Sequence, residues 1–227
     1  EESFIEYSNL GYRVLGLAFK SFEQEKISRA DEKDMIFLGY ILLEDPLKES
    51  AGTSVKMLDQ LKIKVKIVTG DNRYAAANAA KGIGVKIPVI ITGEEMDKLS
   101  PEAFVIKAQH TDVFAEVEPR QKERIIKTLQ KSGLIVAYLG DGINDVAAIN
   151  AADVGISTNN ATDVAKEAAD FVFLEKDLSV LADGVQEGRK SFANSMRYIF
   201  ITTGATFGNM FSVAGASLLL PFLPMLP

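Results

Sequence analysis

The stretch most suggestive of chemistry is "GDGIND", residues 140–145, which places Asp141 and Asp145 in a loop directly after an apolar run. No basic residue lies between Ile135 and Lys166, and like charges held close together favour a bound cation. Magnesium binds carboxylate, water and phosphate oxygens, so the pattern predicts a magnesium site at the two aspartates. The alternative is a glycine-containing turn whose aspartates only cap the following helix.

A second cluster, Thr69-Gly70-Asp71, follows the apolar run "VKIV". A threonine hydroxyl and the backbone N–H groups of a glycine turn that opens a helix suit a phosphoryl group. The alternative is an ordinary strand-to-helix turn in which Asp71 is the N-cap.

A third candidate is Lys122, one turn into "EPRQKERIIKTLQKSG", where Pro119 fits the first helical position. Its ammonium could neutralise a phosphate as a point charge. Taken alone, it is equally one of several solvated cations on an amphipathic helix. His110 is predicted to be an ordinary surface or loop residue.

The elements that must position these residues alternate between helix and strand from Pro46 to about residue 178. The strands are apolar throughout, which is typical of a parallel sheet covered by helices on both faces. The sequence therefore predicts an α/β fold with a doubly wound parallel sheet. In such folds ligands bind beyond the carboxyl ends of the strands, where both polar clusters fall.

The two ends of the chain differ from this pattern. The pattern of residues 1–44 predicts a short helix and two apolar strands, which we interpret as the antiparallel remnant of another domain. Asp45-Pro46 breaks the chain after them. The segment from Tyr198 to Pro227 contains no charged residue and is long enough for a transmembrane helix. Basic residues precede that segment on the expected cytoplasmic side, namely Arg189, Lys190 and Arg197.

Composition excludes several classes of function. The net charge of -6, without any run of Lys or Arg, argues against binding to nucleic acid. The chain has no cysteine, which excludes disulfides and thiolate metal sites. It does not begin with Met and lacks a signal peptide, so we expect it to be a piece of a longer protein.

Taken together, "TGDN", "EPRQK" and "GDGINDVAAINAADVGI" resemble the second half of a P-type cation-transporting ATPase, a pump of the haloacid dehalogenase-like superfamily. The resemblance covers nearly the whole chain and implies four parts. These are the C-terminal end of a nucleotide-binding domain (1–45), a phosphorylation domain (46–186), a stalk helix (187–198), and the fifth transmembrane helix with its following loop (199–227). Asp45-Pro46 resembles the hinge between the first two parts.

In that family, ATP phosphorylates an aspartate in a DKTGT motif, and the aspartyl phosphate is later hydrolysed while the membrane helices alternate access. The resemblance implies Mg²⁺ and ATP as cofactors and gives each matching residue a role. Arg13 would contact ATP, and Asp71 and Asn144 would contact nucleotide or phosphate. Thr69 and Gly70 would hold phosphoryl oxygens, and Lys122 would neutralise them. Asp141 would hold magnesium, and Asp145 would support the metal directly or through water.

The sequence contains no "DKTG", so we expect this fragment alone not to autophosphorylate. The expected partners are the remainder of the same pump (the DKTG-bearing segment, the actuator domain and other transmembrane helices), the lipid bilayer and the transported cation, without nucleic acid. The expected location is the cell membrane as an integral protein, with residues 1 to about 198 in the cytoplasm.

The ending of the chain looks most like the magnesium-transporting branch. Asn209 falls where calcium pumps carry a glutamate of the fifth membrane helix, so Thr206 and Asn209 form a candidate site for the transported ion, with helix–helix hydrogen bonding as the alternative. Glu116 departs from the family, where many relatives have arginine. Three other functions stay open: a calcium or other-cation pump, a soluble phosphatase of the same superfamily, and a non-catalytic binding module.

Overall fold

The computed structural model describes residues 2–21, 28, 32–44, 46–175 and 177–221. The strands in this part are β1 (Tyr12–Phe19), β2 (Ile36–Glu44), β3 (Ile67–Val68), β4 (Ile90–Thr92), β5 (Val113–Ala115), β6 (Ala137–Leu139), β7 (Val154–Thr158) and β8 (Phe171–Phe173). The helices in this part are α1 (Glu2–Asn9), α2 (Ala51–Gln60), α3 (Arg73–Gly82), α4 (Gly93–Asp97), α5 (Pro101–His110), α6 (Pro119–Lys131), α7 (Val146–Ala151), α8 (Asp163–Ala168) and α9 (Ser179–Leu219).

Strands β1 and β2 form an antiparallel pair, with Tyr12 opposite Glu44 and a register shift between Leu17 and Ala18. This confirms the two predicted strands ahead of the parallel fold, whereas their origin as the remnant of another domain stays a prediction. The predicted hinge at Asp45-Pro46 includes Asp45, which lies outside the described residues.

The first parallel sheet has the strand order β3-β5-β4 and is covered on both faces. Successive side chains of a strand point to opposite faces. Phe114 accordingly packs with Phe104 and Ile125 of helices α5 and α6, whereas Val113 and Ala115 pack in a separate cluster with alanines of α3. This two-sided burial confirms the doubly wound α/β class.

The second parallel sheet has the order β6-β7-β8. A cluster formed with helices α6, α7 and α8 covers its buried Tyr138. Val68 of β3 and Val136 before β6 pack against the cores of both sheets, so the two sheets lie side by side. In the described part of the chain, β3 pairs only with β5 and β6 only with β7. Each therefore presents one unpaired edge.

Three helices and one strand of this region do not appear in the sequence interpretation: α4, α5, α8 and β8. Each of the three helices begins at a capping residue, namely Thr92, Ser100 and Thr162, whose hydroxyl accepts a backbone N–H of the first turn. His110 is the last residue of α5, where its Nδ1 lies 3.0 Å from the Ile106 carbonyl oxygen.

Helix α9 begins in the first of two compact units, residues 1–180, and continues through the second, residues 181–227. Within the described residues, no helix is long and apolar enough to cross a membrane, so the transmembrane helix predicted over 199–227 is not shown there. The predicted domain boundaries at residues 45, 186 and 198 stay predictions.

Candidate active site

An open pocket of about 380 Å³ lies at the carboxyl ends of β3 and β6. It brings together five of the residues singled out in the sequence: Thr69, Gly70, Lys122, Asp141 and Asp145. Its remaining lining residues are Val68, Tyr138, Leu139, Gly140 and Thr158. The pocket therefore combines one hydroxyl-bearing turn, one ammonium and two carboxylates between the two parallel sheets.

Thr69 is fixed where β3 ends. Its N–H donates to the Phe114 carbonyl at 2.9 Å, and its own carbonyl accepts the Val117 N–H at 3.0 Å. The Thr69 hydroxyl donates to Asp71 Oδ2 at 2.9 Å and accepts the Asp71 N–H at 3.1 Å. The two residues therefore close a tight turn that holds the hydroxyl at the mouth of the pocket.

The N-cap of α3 is Asn72, and the alternative that made Asp71 the cap is wrong. The Asn72 side chain accepts the N–H groups of Tyr74 and Ala75, both at 3.0 Å. Asp71 cannot take this position because its carboxylate is turned back to Thr69. Glu116, the departure from the family pattern, accepts the Arg73 N–H at 3.1 Å beside the same helix start.

The loop after β6 is held by backbone and hydroxyl contacts to β7. Gly140 donates its N–H to the Ile156 carbonyl at 3.1 Å, and its own carbonyl accepts the Ser157 hydroxyl at 3.0 Å. The Asp141 carbonyl accepts the Thr162 N–H at 3.0 Å. The Asp141 side chain is exposed at the pocket, so its carboxylate is available to a cation.

Gly140 leaves no room for a side chain. A Cβ at this position would lie 2.5 Å from Asp145 Cβ and 3.1 Å from Tyr138 Cε1. Only glycine at residue 140 therefore allows the loop backbone to lie this close to the Asp145 side chain. By contrast, a Cβ on Gly70 would meet the Val117 carbonyl at 3.7 Å, an ordinary contact.

Lys122 lies in the first turn of α6, which begins at Pro119 and is capped reciprocally by Glu118 and Gln121. Its Nζ donates to Asp145 Oδ1 at 2.7 Å, and both side chains are largely buried, with 13% and 12% of their surface exposed. This ion pair joins residues 23 positions apart in the sequence. The sequence did not indicate that Lys122 is the charge partner of Asp145.

Two further donors reach the same carboxylate. The Tyr138 hydroxyl donates to Asp145 Oδ1 at 2.8 Å, and the Gly142 N–H donates to Asp145 Oδ2 at 3.2 Å. Burial alone would raise the pKa of Asp145, but the hydrogen bonds from Lys122 and Tyr138 lower it below its ordinary value. Burial and the bond to Asp145 raise the pKa of Tyr138, so the phenol stays protonated.

Known proteins resemble this chain over most of its length. A family model described as a haloacid dehalogenase-like hydrolase matches residues 12–153. The chain belongs to this family. It is 45% identical over 219 residues to the magnesium-transporting ATPase, P-type 1, of Escherichia coli, covering 96% of this chain and 24% of that protein.

Two other relatives of this haloacid dehalogenase-like chain are also ATPases. A magnesium-transporting ATPase, P-type 1, of Salmonella typhimurium is 41% identical over 225 residues, covering 97% of this chain and 25% of that protein. Calcium-transporting ATPase 1 of Bacillus cereus is 33% identical over 219 residues, covering 95% and 25%. The chain thus spans about a quarter of the length of these curated relatives, and its predicted resemblance to P-type cation ATPases is confirmed.

The donor set fits a magnesium ion that takes most of its ligands from water and phosphate. The described residues contain no group of three or more histidine, cysteine or acidic side chains suited to hold a metal by themselves. Magnesium is usually held by one or two carboxylates together with substrate phosphates. Asp141 fits that role, whereas both oxygens of Asp145 already accept hydrogen bonds within the protein.

Several predicted site residues do not line the pocket: Arg13, Asp71, Asn144, Thr206 and Asn209. Asp71 and Asn144 lie beside it in sequence and are exposed, while Arg13 is exposed on β1. Thr206 and Asn209 are exposed on α9, where the Thr206 hydroxyl donates to the Thr202 carbonyl at 2.9 Å. Their roles stay predictions.

Tyr138 and Thr158 are the pocket residues that the sequence interpretation missed. Tyr138 stands in the apolar run "LIVAYL", where a tyrosine is typical of a core position. The only signal was its hydroxyl, since a buried tyrosine O–H usually finds a hydrogen-bond partner.

Proposed function

We propose that this chain is the part of an ATP-driven cation pump that binds and neutralises the phosphoryl group of an aspartyl-phosphate intermediate. The observation that carries the proposal is the convergence of Thr69, Lys122 and Asp141 on one pocket between two parallel sheets. The family assignment and the names of the relatives support the same reaction class.

The nucleophilic aspartate would come from a DKTG-bearing segment outside this sequence. In the described part of the chain β3 and β6 each have one unpaired edge, and both strands border the pocket, so a strand of such a segment pairing there would deliver its aspartate to the pocket. This placement supports the expectation that the chain alone does not autophosphorylate.

Phosphoryl transfer needs positioning and charge neutralisation more than covalent chemistry from the protein. In this proposal the Thr69 hydroxyl turns from Asp71 to a phosphoryl oxygen, and the Gly70 N–H supports a second oxygen. The Lys122 ammonium neutralises negative charge as it develops. Asp141 would hold a magnesium ion, which when bound would supply positive charge to offset the charge of the phosphoryl group.

Asp145 acts through Lys122 in this scheme. Its carboxylate is largely buried and accepts three hydrogen bonds, so its role is to orient the lysine. We propose Asp141 as the direct ligand and Asp145 as the supporting residue.

We propose magnesium or another divalent cation as the transported ion, with ATP as the energy source. The higher identity to the magnesium-transporting relatives than to the calcium-transporting one favours magnesium. Transport requires the full-length protein to be an integral membrane protein, with residues 1 to about 198 proposed to lie in the cytoplasm. Thr206 and Asn209 stay candidates for the ion pathway.

The test uses the full-length protein and measures transfer of labelled γ-phosphate from ATP to an acid-stable phosphoenzyme. Asp141→Asn is expected to lower its formation by roughly 10²-fold or more, because the carboxylate that holds the metal is lost. Asp59→Asn is the matched control, since Asp59 is exposed on α2 outside the pocket.

Wild-type-like phosphoenzyme in Asp141→Asn would refute the assigned role, and its absence in the wild-type protein would refute the pump. The ion is tested with the full-length protein in liposomes that contain a fluorescent Mg²⁺ indicator. ATP-driven magnesium flux supports the choice of ion. Flux of calcium but not magnesium would reject it.

A further inference from the structure

Tyr138 places a hydroxyl group at the site from inside an apolar strand. Its side chain is buried, with 7% of its surface exposed, and its ring packs with Ile126, Ala148 and Ile149. Its O–H nevertheless donates to Asp145 Oδ1 at 2.8 Å. The partner of this buried hydroxyl is therefore a carboxylate that lines the pocket.

The same oxygen also receives the ammonium of Lys122 at 2.7 Å. A carboxylate offers about four acceptor positions, and Lys122, Tyr138 and Gly142 occupy three of those on Asp145. Tyr138 is attached to a strand and Lys122 to a helix, so the shared carboxylate joins two elements that approach the pocket from different directions.

We infer that Tyr138 is a positioning residue for phosphoryl transfer, which holds the Asp145 carboxylate in the orientation that aims Lys122 at the phosphoryl group. The inference rests on the proposed function, because it concerns the same site. Lysine has a flexible four-carbon side chain, and its charge is useful only if a fixed partner restricts where that charge lies.

The experiment compares Tyr138→Phe with two controls in the full-length protein. Phenylalanine keeps the buried ring and removes only the hydroxyl. Tyr74→Phe removes a hydroxyl from a tyrosine of α3 outside the pocket. Ile126→Val removes a methylene from the cluster around the Tyr138 ring, so it tests packing without touching the hydrogen bond.

The maximal rate of phosphoenzyme formation and the KM for ATP are measured, with the melting temperature recorded for each variant. Tyr138→Phe is expected to lower the maximal rate roughly tenfold at an unchanged KM for ATP. Both controls should keep the wild-type maximal rate.

The possible results separate this inference from the proposed function. If the wild-type protein forms no phosphoenzyme, the proposed function fails. If the wild-type protein is active and Tyr138→Phe keeps its maximal rate, only the positioning role is overturned. The same conclusion follows if Ile126→Val lowers the maximal rate as much as Tyr138→Phe, because packing would then explain the effect.

Discussion

At the scale of single residues, the Asp145 carboxylate distinguishes this pocket from an ordinary acidic loop. Burial, an ion pair with Lys122 and two further hydrogen bonds act on one side chain. Because the hydrogen bonds lower the pKa of Asp145 below its ordinary value of 3.8, the carboxylate is more readily ionised in the folded than in the unfolded chain. Its contribution to stability is therefore present above that value and lost as pH falls through the folded pKa.

Replacing Asp145 with asparagine tests this linkage. At pH 7 we expect the free energy of unfolding to fall by about 1–3 kcal/mol, since Lys122 loses its charged partner. The difference from the wild-type chain should shrink as pH drops below the ordinary value of 3.8, because the unfolded chain then binds a proton at Asp145 that the folded chain takes up only at lower pH. Urea denaturation at several pH values measures it, and Asp59→Asn provides an exposed control. A difference that stays constant down to pH 3 would contradict the prediction.

Sequence reasoning located most of the polar residues in the pocket because each follows an apolar strand, and parallel strands deliver their carboxyl ends to one edge. It could not find the pairing of Lys122 with Asp145 or of Tyr138 with Asp145. These contacts depend on side-chain directions and on how closely α6 approaches the loop after β6. Neither quantity is encoded in a local pattern.

At the scale of elements, the start of α3 shows how a local rule can choose the wrong residue. Both Asp71 and Asn72 are good N-cap types, and only the Thr69 hydroxyl decides between them by taking the Asp71 carboxylate. Helices α4 and α5 were open to the same rules, since Thr92 with Glu95 forms a capping box and Ser100 precedes Pro101. The caps of α4 and α5 could be predicted from the sequence, whereas the choice between Asp71 and Asn72 at α3 could not.

The cap of α3 can be tested with two substitutions at one position. Asn72→Ala is expected to lower the free energy of unfolding by about 1 kcal/mol, because two N–H groups lose their acceptor. Asn72→Asp keeps an acceptor oxygen and should stay within about 0.5 kcal/mol of the original chain. Thermal or urea unfolding measures both, and equal losses in the two variants would contradict the assignment of the cap.

At the scale of the whole first unit, the parallel strands divide into two three-stranded sheets whose edge strands β3 and β6 border one pocket. The sequence predicted the parallel strands β3 to β7, because their apolar runs are local, and missed β8. The grouping of those strands into sheets depends on pairing between distant segments, so it could not be predicted from local sequence patterns. Three exposed apolar residues lie in or shortly before β6, whose one edge is unpaired in the described part of the chain: Leu134, Ile135 and Leu139.

This exposure leads to a prediction about the chain alone. Ile135 has 87% of its side chain exposed just before β6, so Ile135→Thr should change the free energy of unfolding by less than about 0.5 kcal/mol. It should also reduce self-association, which analytical ultracentrifugation measures. Ile125 is fully buried in α6, so Ile125→Thr should cost roughly 2–4 kcal/mol. Similar losses in the two variants would contradict this view of the edge.

The two glycines of the pocket have different consequences for evolution. At Gly140 any side chain would collide with Asp145, so natural selection would retain glycine there even if it never touched a ligand. At Gly70 the surroundings would accept a methyl group, and packing alone gives no reason to keep glycine. Invariance at residue 140 among relatives would therefore report on the geometry behind the carboxylate. Invariance at residue 70 would point instead to a group that binds at the backbone.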